Sequence, residues 1–185
     1  MFTYGIRSFA AITILTASAA IAHAENPMVG GAAMYADKNI VENAVNSKDH
    51  TTLVAAVKAA GLVETLQGKG PFTVFAPTNE AFEALPTGTV DTLLKPENKD
   101  KLTKVLTCHV VSADAMSSAI AKMVKGDGGE HDVKTVGGCD LQAKDDGGKI
   151  TLTDETGGTA TVTIADVKQS NGVIHVIDKV LLPKG

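Results

Sequence analysis

The chain of 185 residues carries 17 Lys+Arg against 21 Asp+Glu, a formal charge of -4, with 44% hydrophobic and 4% aromatic residues. That composition fits one globular unit with a buried core and excludes a disordered chain, a collagen or a coiled-coil rod. Without a basic surplus there is no electrostatic footprint for nucleic acid or for an anionic membrane surface.

Arg7 precedes an uncharged run of 14 residues from Phe9 to Ala22, and Ala22-His23-Ala24 supplies the small-x-small pattern of a signal-peptidase site. A membrane-spanning helix needs roughly 20 apolar residues, so residues 1–24 read as a cleaved secretory signal. The mature chain is expected to be secreted or periplasmic, without membrane insertion. Cleavage after Ala24 removes Arg7, the only arginine, and leaves 16 lysines against 21 carboxylates, a charge of -5. Lysine is a point charge without arginine's planar fork, which disfavours a phosphate substrate. The remaining aromatics are Tyr35, Phe72, Phe75 and Phe82, too few to form stacking platforms for sugars or unpaired bases.

Residues 25–36 show no periodicity and read as a flexible lead-in, with the domain proper at 37–185. Ile40, Val41, Ala44 and Val45 recur at helical spacing. After the polar Ser47-Lys48-Asp49-His50 break, Leu53, Val54, Val57 and Ala60 mark a second amphipathic helix that Gly61 ends. Leu62, Val63 and Leu66 add one more turn. The period then changes: Phe72-Thr73-Val74-Phe75-Ala76, bracketed by Pro71 and Pro77, is a short strand. Thr78 or Asn79 caps the helical turn that follows, with Phe82 and Leu85 on its apolar face. Val90, Leu93 and Leu94, then Leu102, Val105 and Leu106, indicate two further helices, and Cys108-His109-Val110-Val111 the start of a strand. From residue 126 onward, four glycine-rich turns punctuate short β-branched segments, predicting antiparallel strands, including a hairpin of 149–153 with 160–164. The last strand, Val173 to Leu182, is nearly continuously apolar and is expected to be central and covered on both faces. Helices first and hairpins later give an α+β architecture.

Three of these segments carry a resemblance. Residues 70–82, Gly70-Pro71-Phe72-Thr73-Val74-Phe75-Ala76-Pro77-Thr78-Asn79-Glu80-Ala81-Phe82, look like the first signature block of the fasciclin-type (FAS1) domain. Residues 171–183, from Asn171-Gly172-Val173 to Leu182-Pro183, look like its second, and Leu106-Thr107-Cys108-His109-Val110-Val111 resembles the Tyr-His block between them, with Cys108 where the family has tyrosine. The similarity runs from Asp37 to Pro183. It implies a wedge of antiparallel β-sheet packed with several short helices, exported and used for adhesion or interaction and not for catalysis. Its partner would be a cell-surface or matrix protein or a polysaccharide, with weak homo-oligomerisation as a means of bridging. The alternative is a small-ligand or cofactor carrier with a cleft between sheet and helices.

The candidate binding residues in these blocks are Thr78, Asn79, His109, His175 and Asp178. His109 and His175 lie in apolar strand sequence, where a neutral imidazole either locks strands through backbone groups or contacts a ligand in the cleft. Cys108 and Cys139 are the only cysteines. In an oxidising compartment they form either a disulfide across 31 residues or two buried thiols in neighbouring strands. The loop Gly126-Asp127-Gly128-Gly129-Glu130-His131-Asp132 lacks the spaced ligands of a calcium site and reads as a solvated turn. No metal site, cofactor or catalytic motif is expected.

Overall fold

The structure is a computed structural model, and it describes residues 26–184. The expected signal segment, residues 1–24, lies outside the described residues.

A helical half is laid down first. Two short strands, β1 (Met28–Val29) and β2 (Ala32–Ala33), precede α1 (Ile40–Ala44), α2 (Thr51–Ala60) and α3 (Val63–Leu66). The capping box Asn39/Glu42 opens α1, and Gly61 in the left-handed region closes α2. Strand β3 (Phe72–Pro77) leads into α4 (Asn79–Glu83), whose first turn is capped by the Thr78 hydroxyl accepting from Ala81 N–H. Next come α5 (Thr89–Leu93), α6 (Lys99–Thr107) and β4 (Val110–Val111). The second half holds α7 (Ser117–Gly126) and strands β5 (Glu130–Lys134), β6 (Asp140–Asp146), β7 (Lys149–Thr153), β8 (Thr159–Gln169) and β9 (Gly172–Ile177).

The seven-stranded sheet has the order β4-β3-β9-β8-β7-β6-β5. It is antiparallel except at its centre, where β3 and β9 pair in parallel from Phe72↔Gly172 to Pro77↔Ile177. An antiparallel sheet throughout was the expectation. The difference follows from topology, because two strands joined by a long crossover through other elements can enter a sheet in the same direction. The pair is buried on both faces. Val74 and Ala76 of β3, with Ile174 and Val176 of β9, face a core shared with α1, α2 and α6, while Phe75 and Ile177 face a second core with α7 and β5–β8. Side chains alternate across a strand, so one apolar run serves both cores.

The close approach at the start of this pair depends on Gly172, at φ 155, where an added Cβ would lie 2.8 Å from the Phe72 carbonyl carbon. Asn171 completes the junction. Its Oδ1 accepts from Ile40 N–H at 3.0 Å, and its Nδ2 donates to Leu66 O at 2.8 Å and Gly68 O at 2.9 Å.

Several local expectations shift. Residues 28–33, read as irregular, form the β1–β2 hairpin around Gly30 and Gly31, both at positive φ. Two strands of two residues are too short to show a period, and tertiary bonds hold them. Val29 and Met34 are buried, Asn43 Oδ1 accepts from Tyr35 N–H at 3.0 Å, and Asn43 Nδ2 donates to Tyr35 O at 2.8 Å. Cys108 caps the end of α6, so β4 begins at Val110. Strand β9 stops at Ile177, and residues 178–184 continue as an irregular strap. Val180 of the strap enters the helical core and Leu181 the other.

Candidate functional site

The expected site residues fall into two groups. Thr78, Asn79 and Asp178 gather where β3 and β9 end side by side, with Thr78 N–H donating to Ile177 O at 3.3 Å. Asn79 ties α4 to the start of α2. Its Oδ1 accepts from Thr51 Oγ1 at 3.1 Å and Thr52 N–H at 3.0 Å, and its Nδ2 donates to Lys48 O at 2.8 Å. Asp178 is exposed and accepts from Thr161 N–H through Oδ1 at 2.6 Å.

His109 and His175 are inside, at 2% and 0% exposure. His109 Nδ1 donates to Val105 O at 2.8 Å, and Nε2 accepts from Leu181 N–H at 2.9 Å. The ring therefore joins the last turn of α6 to the strap, as a neutral tautomer fixed by its two backbone partners. Burial pushes its pKa down to about 4, against the opposing pull of the Val105 carbonyl and Asp154. His175 repeats the device one core away: Nε2 donates to Ala115 O at 2.7 Å and Nδ1 accepts from Asp166 N–H at 3.2 Å. Burial lowers its pKa as well, offset in part by the Ala115 carbonyl, Asp166 and Asp114. Its ring stacks on Phe75 with centroids 5.7 Å apart.

Asp166 and Ser117 also meet near His175. Asp166 occupies φ 60 at an irregularity in β8, accepts from Ser117 N–H at 2.6 Å and also accepts from the hydroxyl of Ser117, which opens α7. These three residue types are those of a hydrolytic triad, but the geometry is not. The carboxylate contacts the serine directly, and both imidazole nitrogens are engaged with backbone, so no ring nitrogen faces the hydroxyl to accept its proton.

Cys108 and Cys139 form a disulfide with Cα atoms 5.4 Å apart, tying the end of α6 to the turn before β6. Around it, Val136 N–H donates to Val110 O at 2.7 Å and Gly137 N–H to Thr107 O at 3.0 Å. A second anchor for the strap is Asp154, buried at 6% exposure. It accepts from Thr156 N–H, Thr156 Oγ1 and Gly158 N–H in its own turn and from Leu182 N–H at 2.8 Å. Among the described residues no group of three or more His, Cys, Asp and Glu is placed to hold a metal ion. No helix of the described residues is long and apolar enough to cross a membrane.

Two apolar cavities lie between the helices and the sheet, where the carrier alternative placed its cleft. The larger, about 40 Å³, is bordered by α1, α2, α3, α6 and the ring of His109. With both nitrogens of that ring engaged, His109 offers it only carbon. The smaller, about 30 Å³, is bordered by His50. This residue was read as part of a polar break between helices and is buried at 3% exposure. Nothing in the local run Ser47-Lys48-Asp49-His50 signals burial, because the turn is covered by the β1–β2 hairpin from elsewhere in the chain.

Against known proteins, the Fasciclin domain family matches residues 48–183, and the chain belongs to that family. It is 48% identical to the protein sll1483 of Synechocystis sp. over 159 residues, covering 86% of this chain and 81% of the relative. Immunogenic protein MPB70 of Mycobacterium bovis is 32% identical over 145 residues, 76% of this chain and 66% of the relative. Transforming growth factor-beta-induced protein ig-h3 of Sus scrofa is 39% identical over 131 residues, which are 71% of this chain and 17% of that much longer protein. In structure, a FAS1 domain pair from the insect cell adhesion molecule fasciclin I superposes with a TM-score of 0.70 at 16% identity, covering 78% of this chain and 51% of that one. At that identity the likeness speaks for the fold alone.

Proposed function

We propose that this protein is an exported, non-enzymatic interaction module that adheres to a protein or polysaccharide at the cell surface, in the periplasm or in surrounding matrix. The observation that carries the reading is the family match over 48–183, together with a fold shared with a cell adhesion molecule. The signal-like residues 1–24 and a disulfide suited to an oxidising compartment support export. The spent nitrogens of His109 and His175 support a non-catalytic role.

The proposed contact face is the end of the β3–β9 pair, with Asp178 exposed and Thr78 and Asn79 beside it. A module with one contact face bridges two surfaces only by pairing with itself, so weak self-association belongs to the reading. The test is retention of the native cell envelope on immobilised mature protein, together with sedimentation velocity of the free protein. Expected are retention above a bare-matrix control and at least tenfold weaker binding by Asp178→Lys, with cooperative melting retained despite the lost Thr161 N–H bond. A strictly monomeric protein that retains nothing from the envelope overturns the proposal.

A further inference from the structure

Among the buried histidines one is not satisfied. His50 lies in the 3-10 turn Lys48–His50 that leads into α2. Its Nδ1 is 2.9 Å from the Ser47 hydroxyl, while Nε2 is buried without any hydrogen-bond partner. Burial lowers its pKa, with the Ala76 backbone, Asp49 and Glu80 pulling the other way, so the ring is neutral. The Ala76 backbone, which pulls the pKa upward, makes no hydrogen bond with Nε2.

The ring borders the 30 Å³ cavity, and apart from Ser47 the side chains around it are those of Val29, Met34, Leu53 and other apolar residues. A water needs two to four polar partners to be held in such a space, and the polar side chains of these walls are those of His50 and Ser47, which already bond each other. Ile40, Ala44, Leu53 and Val74 border this cavity and the neighbouring 40 Å³ cavity alike. The outer cavity reaches the surface among half-exposed Val41, Val54 and Leu62, beside the exposed Lys58. At roughly 10–15 Å³ for each water-sized group, the two cavities together hold about five to seven such groups.

We propose that the paired cavities between α1, α2 and the sheet form a binding site for a short aliphatic alcohol, its hydroxyl on His50 Nε2 and its chain running past Leu53 toward Lys58. A hydroxyl both donates and accepts, so it satisfies Nε2 in whichever tautomer the Ser47 hydroxyl selects. A carboxylate or an ammonium group would bring an unpaired charge against apolar walls and is excluded by its desolvation cost. The chain replaces voids with contacts along Leu53 and Val74, which is the driving force in a preformed apolar pocket. The site is separate from the adhesive face and stands or falls independently of it.

The test is an NMR titration of mature protein, labelled at histidine nitrogen and at leucine and valine methyls, with n-butanol. Expected is a saturable shift of His50 Nε2 together with the Leu53 and Val74 methyls, with His175, which borders neither cavity, unmoved. Ala44→Val, which fills the wall common to both cavities, is expected to weaken binding at least tenfold while the spectrum stays dispersed. Should the α1 backbone not accept valine, Val74→Ile fills the same wall from β3. A His50 signal that does not saturate, affinity unchanged in both filling variants, or a water cross-peak to His50 that persists through the titration overturns the proposal.

Discussion

The two cores on either side of the β3–β9 pair solve the same packing problem with different completeness. On the strand-rich side, Leu141, Ala143, Leu152, Ala160 and Ile177 have exposures of 1% or less, and the disulfide anchors the turn before β6 to α6. On the helical side, short helices of five, ten, four and nine residues meet the sheet, and both apolar cavities are lined from that side. Strands in register fill their layer through fixed alternation. Short helices at several angles leave gaps where their ends meet, and in this protein the unpartnered His50 sits in one of them.

Substitution breaks that contrast most strongly on the strand-rich side. Leu152→Ala is expected to cost about 3–5 kcal/mol, at the high end for its type because neighbouring strands are pinned by ladders and cannot collapse into the hole. Chemical denaturation with matched m-values measures it. Replacing Cys108 and Cys139 together by serine is expected to cost about 3–4 kcal/mol from the loop entropy returned to the unfolded chain, read as a fall in the denaturation midpoint under non-reducing conditions.

Acid acts on both cores, since each holds a neutral bridging histidine. An unfolded histidine titrates near 6.5, while His109 in the fold titrates at about 4. Between those values the unfolded chain binds more protons, so stability is full above pH 6.5 and falls as pH drops toward 4. The His109 share of that loss is roughly 3 kcal/mol. His175 and His50 are shifted in the same direction and add to the slope. Stability measured across this range in wild type and His109→Gln is expected to show a shallower acid slope in the variant. Equal slopes would remove His109 from the account.

The smallest effects sharpen the comparison best, because their signs differ. Ala143→Val, at a fully buried position of β6, is expected to destabilise by about 1–3 kcal/mol through overpacking. Ala44→Val, against the cavities, is expected to stabilise by about 0.5–1 kcal/mol by filling them. Thermal melting of the two variants side by side decides it, and a shared sign would mean that the cores are packed alike.

What the sequence disclosed follows from the range of each interaction. The apolar runs of β3 and β9 announced buried strands, and Thr78-Asn79 announced a cap that the structure assigns to Thr78, because both are local patterns. Their parallel pairing was hidden, since periodicity carries no direction and their partners lie 100 positions apart, as Phe72 and Gly172 do. The Cys108–Cys139 bond stayed open for the same reason until their Cα atoms were placed. His109 and His175 were marked by apolar neighbours. His50 was not, because its cover arrives from the hairpin at Met28–Ala33, whose two-residue strands leave no pattern to read. Asp154 and Asn171 belong with it: each organises segments far away in sequence through ordinary polar side chains.

The strap at 178–184 has a practical corollary for anyone joining this domain to something else. Leu181, Leu182 and Lys184 give their N–H groups to His109, Asp154 and Glu155 in turn, so the seam that closes both cores is sewn from this one strip of backbone. A fusion spliced in before Lys184, or a tag stiff enough to pull on it, would unpick those stitches one at a time from the outside. A tether attached beyond that point leaves the closure intact.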